Sequence, residues 1–348
     1  MTTFPSHEEW TRLLDATVRF KQLKPWEWTE NEDYFAITNP ETNETGYCVI
    51  LGAAQESFGL NVYIGPQAGL YLQELTRPFS GEYEHDTEEL LFTTHAITVS
   101  FEDRDMLDRQ DLAIIREQGM KFRGANAWPI FRSYEPGKSP WMLSGEQARF
   151  LTAALEQSIH VSRRFHENPE MYYEHDQTEE GTGEKRLHRV PMQADGQIEW
   201  HDEWLPWYVT GKLLEPYIFP DEIKLQQLKK LKKSAETWEC DFYYASVTIA
   251  ENKTVRPYYP RLCLWVHPLD GNIMTAEITP ESDCRSLFVQ QLILLLESSN
   301  IKPKNIETGS TKAFFALKDT ADRLGISIGY NPMLEALLNA KEALDERL

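Results

Sequence analysis

Between residues 6 and 23 the apolar side chains Trp10, Leu13, Leu14 and Val18 recur at helical spacing behind a Ser6–Glu9 capping-box pattern. That predicts a first helix, closed by Pro25. The period then shortens to two. Strands are expected at residues 34–38, 47–53 and 60–64, the first two joined by Asn39-Pro40-Glu41-Thr42-Asn43, so this stretch reads as an antiparallel meander. A short helix at 68–75, a strand at 96–101, a helix at 105–118 and a strand at 128–134 follow, and Ser144 with Gln147 opens a long helix toward His166.

From residue 168 to 210 the periodicity is lost, and 179–184 reads as an acidic loop. Asp195-Gly196 predicts a hairpin turn between strands at 187–192 and 198–204. A Lys-rich amphipathic helix carrying Lys224, Lys229, Lys230, Lys232 and Lys233 is expected next, as a solvated connector. The C-terminal part has the clearest pattern. Strands at 261–266 and 273–278 flank Asp270-Gly271, followed by a helix at 282–298, a strand at 305–308, a helix at 311–324 and a strand at 326–328. Asn331 with Pro332 predicts the start of a last helix docked through Leu334, Leu337, Leu338 and Leu344.

These elements predict a mixed α/β or α+β chain of two mixed-sheet domains, at 1–167 and 236–348, with 168–235 as a connector of acidic loop, hairpin and Lys-rich helix. The order β-β-β-α-β-α-β-α is that of ribonuclease-H-like folds, and also of unrelated α/β layers. The second domain reads as a shorter version of the first.

A length of 348 residues exceeds one hydrophobic core, and 41% apolar with 12% aromatic content is globular. Lys plus Arg number 35 against 55 Asp plus Glu, a net charge of −20 that repels nucleic-acid phosphates and anionic membranes over most of the surface. Cys48, Cys240, Cys263 and Cys284 are scattered without metal or disulfide spacing and read as packed, reduced thiols. The polar N-terminus and the absence of any run of 18 apolar residues predict a cytoplasmic protein.

A two-metal nuclease needs an acid in the middle of its first strand. Taking the first strands as Phe35-Ala36-Ile37 and Leu264-Trp265-Val266, none is found, and Asp103, Asp105 and Asp270 lie outside them. The expectation is therefore no catalytic acid set, no metal and no cofactor. Pro136-Gly137-Lys138-Ser139 fails as a phosphate loop because Arg132 stands where glycine is required, so a turn is expected. Glu156 and His160 share a helix face without a third ligand and read as a surface pair.

Two aromatic stretches are more distinctive. Arg123, Trp128, Arg132, Tyr134 and Trp141 interleave cations with rings, a composition that could clamp an anionic or planar ligand, or simply pack. Trp200, Trp204 and Trp207 crowd one short segment, as a partner interface or a seal between domains. Leu23-Lys24-Pro25-Trp26-Glu27, Gly46-Tyr47-Cys48-Val49, Phe122-Arg123-Gly124, Ala127-Trp128-Pro129, Phe131-Arg132-Ser133-Tyr134 and Pro140-Trp141 together resemble a family of two-domain bacterial proteins, a domain of unknown function. The resemblance covers nearly the whole chain and implies a paired-domain layout with no activity to carry over. The expected function is a non-enzymatic binding or interaction protein whose partner is a protein or a small anionic ligand. Its rivals are a metal-dependent enzyme of nucleotide or nucleic-acid metabolism and an oligomerising adaptor.

Overall fold

The computed structural model describes residues 4–65, 68–69, 72, 92–172, 185–206, 216–250, 252, 255–281 and 283–347. The chain divides into two compact units, the first formed by residues 1–78, 94–135 and 140–211, the second by 79–93, 136–139 and 212–348.

In the first unit, helix α1 (His7–Leu23) begins at the predicted capping box, with Glu9 Oε2 accepting from Ser6 N at 2.6 Å. It ends where Lys24 turns left-handed (φ 53°) before Pro25, whose ring cannot continue a helix. Strands β1 (Phe35–Thr38), β2 (Thr45–Leu51), β3 (Phe58–Ile64), β4 (Ala96–Glu102) and β5 (Trp128–Tyr134) run as an antiparallel meander, with helix α2 (Arg109–Glu117) between the last two. Helix α3 (Gly145–Glu167) starts at the Ser144–Gln147 capping box. The hairpin β6 (Lys185–Ala194) and β7 (Gln197–Pro206) turns at Asp195-Gly196, both at positive φ, and β6 joins the sheet parallel to β1. The order is β5-β4-β3-β2-β1-β6-β7. Leu13 and Phe20 of α1 and Leu151 and Leu155 of α3 meet Ile37, Cys48, Leu60 and Val99 of the sheet in one core. The helix expected at 68–75 and the loop at 179–184 fall largely outside the described residues.

The second unit comprises helix α4 (Glu222–Leu228) and strands β8 (Lys232–Lys233), β9 (Thr237–Tyr244), β10 (Arg261–His267) and β11 (Asn272–Thr279). Helix α5 (Arg285–Ser299), strands β12 (Ile301–Lys302) and β13 (Asn305–Thr308), helix α6 (Thr311–Leu324), strand β14 (Ser327–Tyr330) and helix α7 (Glu335–Asp345) complete it. The main sheet has the order β11-β10-β9-β13-β14, with β10 and β11 antiparallel and β13 and β14 parallel in register with β9. A central first strand flanked by its own meander on one side and by two helix-connected parallel strands on the other is the ribonuclease-H-like order. Among the described residues only this unit has it. The first unit keeps five strands antiparallel in sequence, so the expectation of one plan used twice does not hold.

Three sequence readings are corrected here. The first strand of the second unit's main sheet is β9, not Leu264-Trp265-Val266, and it carries Asp241 near its middle. The lysines after Leu228 leave the helix, and Lys232–Lys233 pairs with Ile301–Lys302 instead. Asn331 accepts from Met333 N at 2.9 Å in a side-chain turn, and α7 begins only at Glu335, because that turn holds the chain out of helical geometry. Leu334 and Leu337 dock as expected, whereas Leu338 stays exposed.

Strand alternation sends Trp238, Cys240 and Phe242 into the core beneath α5 and α6, and Glu239 and Asp241 to the face covered by α7. Burial alone opposes ionisation of Asp241. The Lys341 ammonium at 2.6 Å, nearby Lys312 and the Ser310 hydroxyl overcome it, holding the carboxyl below its usual value. Glu239 accepts from Leu337 N at 3.1 Å, near the start of α7. Its pKa is nevertheless raised, first by burial and further by Glu307, its direct neighbour on β13.

Removing one member of a buried pair strands the other charge, so Lys341→Met should cost about 3–5 kcal/mol in calorimetric unfolding, with most of it recovered by adding Asp241→Asn. Because the folded pKa of Asp241 is depressed, its contribution is complete above the ordinary carboxylate value and lost as pH falls through the folded one. Lys341→Met should flatten that acid limb of the stability profile. In the first unit, a Cβ at Gly59 would lie 2.1 Å from the Val99 carbonyl oxygen, so Gly59→Ala should lower stability by roughly 1–3 kcal/mol or more as β3 is forced from β4.

Candidate functional site

A candidate site lies in the first unit, at the C-terminal end of α1. After the left-handed Lys24, the tight turn Pro25–Glu27 places Trp26 against Phe20, Phe58 and Phe101, with ring centroids 5.2–6.0 Å apart. Trp28 is fixed by its indole N–H donating to Ser162 O at 2.9 Å and by His166, 4.4 Å away. These rings, with Gly52, Ala53 and Gln55 after β2, bound a cleft of about 590 Å³ whose rim carries Lys21, Lys24, Glu27 and Glu30.

A second groove of about 340 Å³ shares Lys21 and Phe101 with the first and is completed by Thr17, Val18, Gln22, Lys121, Phe122, Arg123 and Ala127. No acid lines it. The loop that builds it is pinned at Asn126, whose backbone N–H donates to Asp103 Oδ1 at 2.8 Å and whose carbonyl accepts from Lys21. Lys21 also lies 4.6 Å from the centre of the Phe101 ring, and its burial lowers its pKa. Lys121 and Arg123 are exposed and make no ion pair or side-chain hydrogen bond among the described residues.

Of the residues singled out from sequence, Arg123 lines this groove, and Trp128 lies behind it, edge-on to Phe122 at 5.9 Å and beneath Arg104 at 5.6 Å. Arg132 does not join them. Its guanidinium grips both carboxylate oxygens of buried Asp111 at 2.7 Å and reaches Asp108 at 3.2 Å, contacts that raise its pKa. Tyr134 sits at the other end of β5, opposite Ala96, and Trp141 packs on the core while its backbone pairs with Ser133. Trp200 and Trp204 pack against the core of the first unit, with Asp202 between them held by Arg164 and Arg189. Trp207 lies outside the described residues.

Lys21, Lys121, Trp26, Trp28 and Phe101 are not singled out as a site by sequence. The signal was partial: Lys121-Phe122-Arg123 is contiguous, but Lys21 and Phe101 join it only through α1 and β4. The other motifs resolve structurally. Gly137 N donates to Phe92 O at 2.7 Å and Ser139 N to Pro257 O at 3.0 Å, so the Pro136–Ser139 turn spends its donors within the second unit. Glu156 pairs with Arg19 at 2.9 Å. Asp103 holds Asn126, Asp105 lies in the Arg104–Met106 turn, and Asp270 accepts from Asn272 N at 3.1 Å in its hairpin.

Sequence reasoning also missed Asp241, although Trp238, Cys240 and Phe242 alternating with Glu239 and Asp241 was a readable strand signal. Glu239, Asp241 and Glu307 lie on neighbouring parallel strands, but among the described residues no three His, Cys, Asp or Glu side chains are placed to hold a metal ion. The cation in contact with Asp241 is Lys341. The four cysteines are free and buried, and no described helix is long and apolar enough to cross a membrane.

Residues 10–185 match a family model described as Domain of unknown function (DUF7309), and residues 224–345 match one described as Domain of unknown function (DUF6930). Among solved structures the chain is similar to one in the cryoEM structure of the simian T-cell lymphotropic virus intasome in complex with PP2A regulatory subunit B56 gamma. The identity is 17%, over 31% of this chain and 37% of that one, with a TM-score of 0.24. It is also similar to the catalytic core domain of BIV integrase, with 16% identity, 33% of this chain and 66% of that one covered, and a TM-score of 0.22. The chain thus spans little more than a third of the first of these and just under two thirds of the second, and likenesses at such scores carry no functional argument. No curated protein matches the sequence. With two domains of unknown function covering it and the first spanning more than half its length, the chain belongs to the DUF7309 family.

Proposed function

We propose that the protein is a non-enzymatic binding protein that takes a small anionic ligand in the groove lined by Lys21, Lys121 and Arg123. The observation that carries this reading is the acid-free lining of that groove in a chain of net charge −20. Several cations of the first unit are already paired: Arg132 is committed to Asp111, Arg189 to Asp202 and Gln157, and Arg149 to Glu9 and Glu41. Lys121 and Arg123 have none among the described residues, so an incoming anion meets their charge without displacing a carboxylate. A guanidinium and two ammonium groups in a groove that Phe101 and Phe122 also line suit a phosphate or carboxylate attached to an apolar or planar body.

The rival metal-dependent enzyme reading is weakened by the second unit. A divalent ion at Asp241 would have to displace Lys341, and the lysine's ammonium already neutralises the carboxylate.

The test separates two arginines that sequence alone treats alike. With pyrophosphate as the calorimetric probe on the full chain, Arg123→Ala should weaken binding about tenfold or more, and the effect should shrink with added salt. Its unfolding temperature should not move. Arg132→Ala should do the reverse, leaving binding intact while costing about 1.5–3 kcal/mol of stability through the lost charge-assisted bonds to Asp111. Equal pyrophosphate binding by the wild type and Arg123→Ala would sink the proposal.

A further inference from the structure

The two hollows differ in chemistry and meet at Lys21 and Phe101. The smaller one offers only positive charge, from Lys21, Lys121 and Arg123. The larger one, of about 590 Å³, falls within the usual size of small-molecule sites and has aromatic walls. Two amides line it as well. Gln55 and Asn126 are both held at left-handed backbone angles (φ 60° and 48°), and their side-chain amides have no partner among the described residues. Each amide presents one donor edge and one acceptor edge, the pattern that reads the edge of a heteroaromatic ring. Left-handed non-glycine residues are uncommon, and three of them on one cleft, Lys24 included, indicate a backbone set by its surroundings. Lys21 and Phe101 line both hollows, so one ligand can occupy the two together.

We infer that the ligand is a nucleoside diphosphate, its base in the Trp28–Phe58 cleft against Gln55 and Asn126 and its phosphates in the Lys21, Lys121 and Arg123 groove. This rests on the anion-binding reading above and adds the class of body that the anion carries. A diphosphate has about three negative charges near neutral pH, matching the three cations of the groove. A ring in the cleft gains stacking that a free anion cannot. The −20 charge of the chain disfavours a long polyanion and leaves a single nucleotide as the matching occupant.

The experiment titrates the full chain with ADP, GDP, CDP and UDP, and with adenosine and pyrophosphate separately, reading binding heat and tryptophan fluorescence. At least one nucleoside diphosphate should bind about tenfold or more tighter than pyrophosphate and should change the Trp26 and Trp28 emission, which pyrophosphate should not. Lys121→Ala with Arg123→Ala should reduce nucleotide affinity toward that of the nucleoside. Gln55→Gly, which keeps the left-handed backbone while removing the amide, should reduce discrimination among the bases without altering pyrophosphate affinity. If pyrophosphate and every nucleotide bind equally and the fluorescence stays constant, the nucleotide inference fails while anion binding stands. If none of the phosphates binds, both readings fail.

Discussion

Asp241 stands in the middle of β9 with water excluded, between a hydrophobic core on one side of the sheet and α7 on the other. An isolated charge cannot persist there, so the strand is compatible with this fold only because Lys341 reaches back from α7 and Ser310 from the start of α6. The same requirement organises the first unit. Arg189 is buried and is satisfied by Gln157 of α3, Asp202 of β7 and the Trp200 carbonyl. Arg132 ties β5 to the first turn of α2 through Asp111. Each buried charge thereby joins two elements that are distant in sequence.

Exposed cations are under no such constraint, because water solvates them. Acids exceed bases by 55 to 35, and some exposed cations pair with a carboxylate, as Arg12, Arg19 and Lys24 do. Lys121 and Arg123 face a groove with no acid in its lining, on a loop whose course is set by Asn126, Asp103 and Lys21. The site is therefore a product of packing as much as of composition. Moving the Asn126 anchor would carry both cations away from Lys21.

The second unit shows how a fold and its chemistry separate. Its strand order is ribonuclease-H-like and its central strand carries an acid, yet the contacts of that acid are those of a structural ion pair. Glu239 lies near the N-terminus of α7 and Glu307 beside it on β13, so the acidic face is bound up with the docking of the last helix.

Much of the local structure was legible in the sequence because its signals are short-range. The capping boxes at Ser6 and Ser144, the Asp195-Gly196 and Asp270-Gly271 turns and the strand Trp128–Tyr134 depend on neighbours a few residues apart. β9 was also readable, by alternation, but its two acids masked an otherwise apolar run. The sequence could show that Arg123 and Arg132 sit among aromatic residues. It could not show that Arg132 is paired while Arg123 has no partner among the described residues, since Asp111 lies 21 residues from Arg132 along the chain and reaches it only when α2 packs by β5. Lys21 meets Lys121 and Arg123 for the same reason: chain distance says nothing of proximity until long-range pairing closes the sheet, and electrostatic partnership is decided by that proximity.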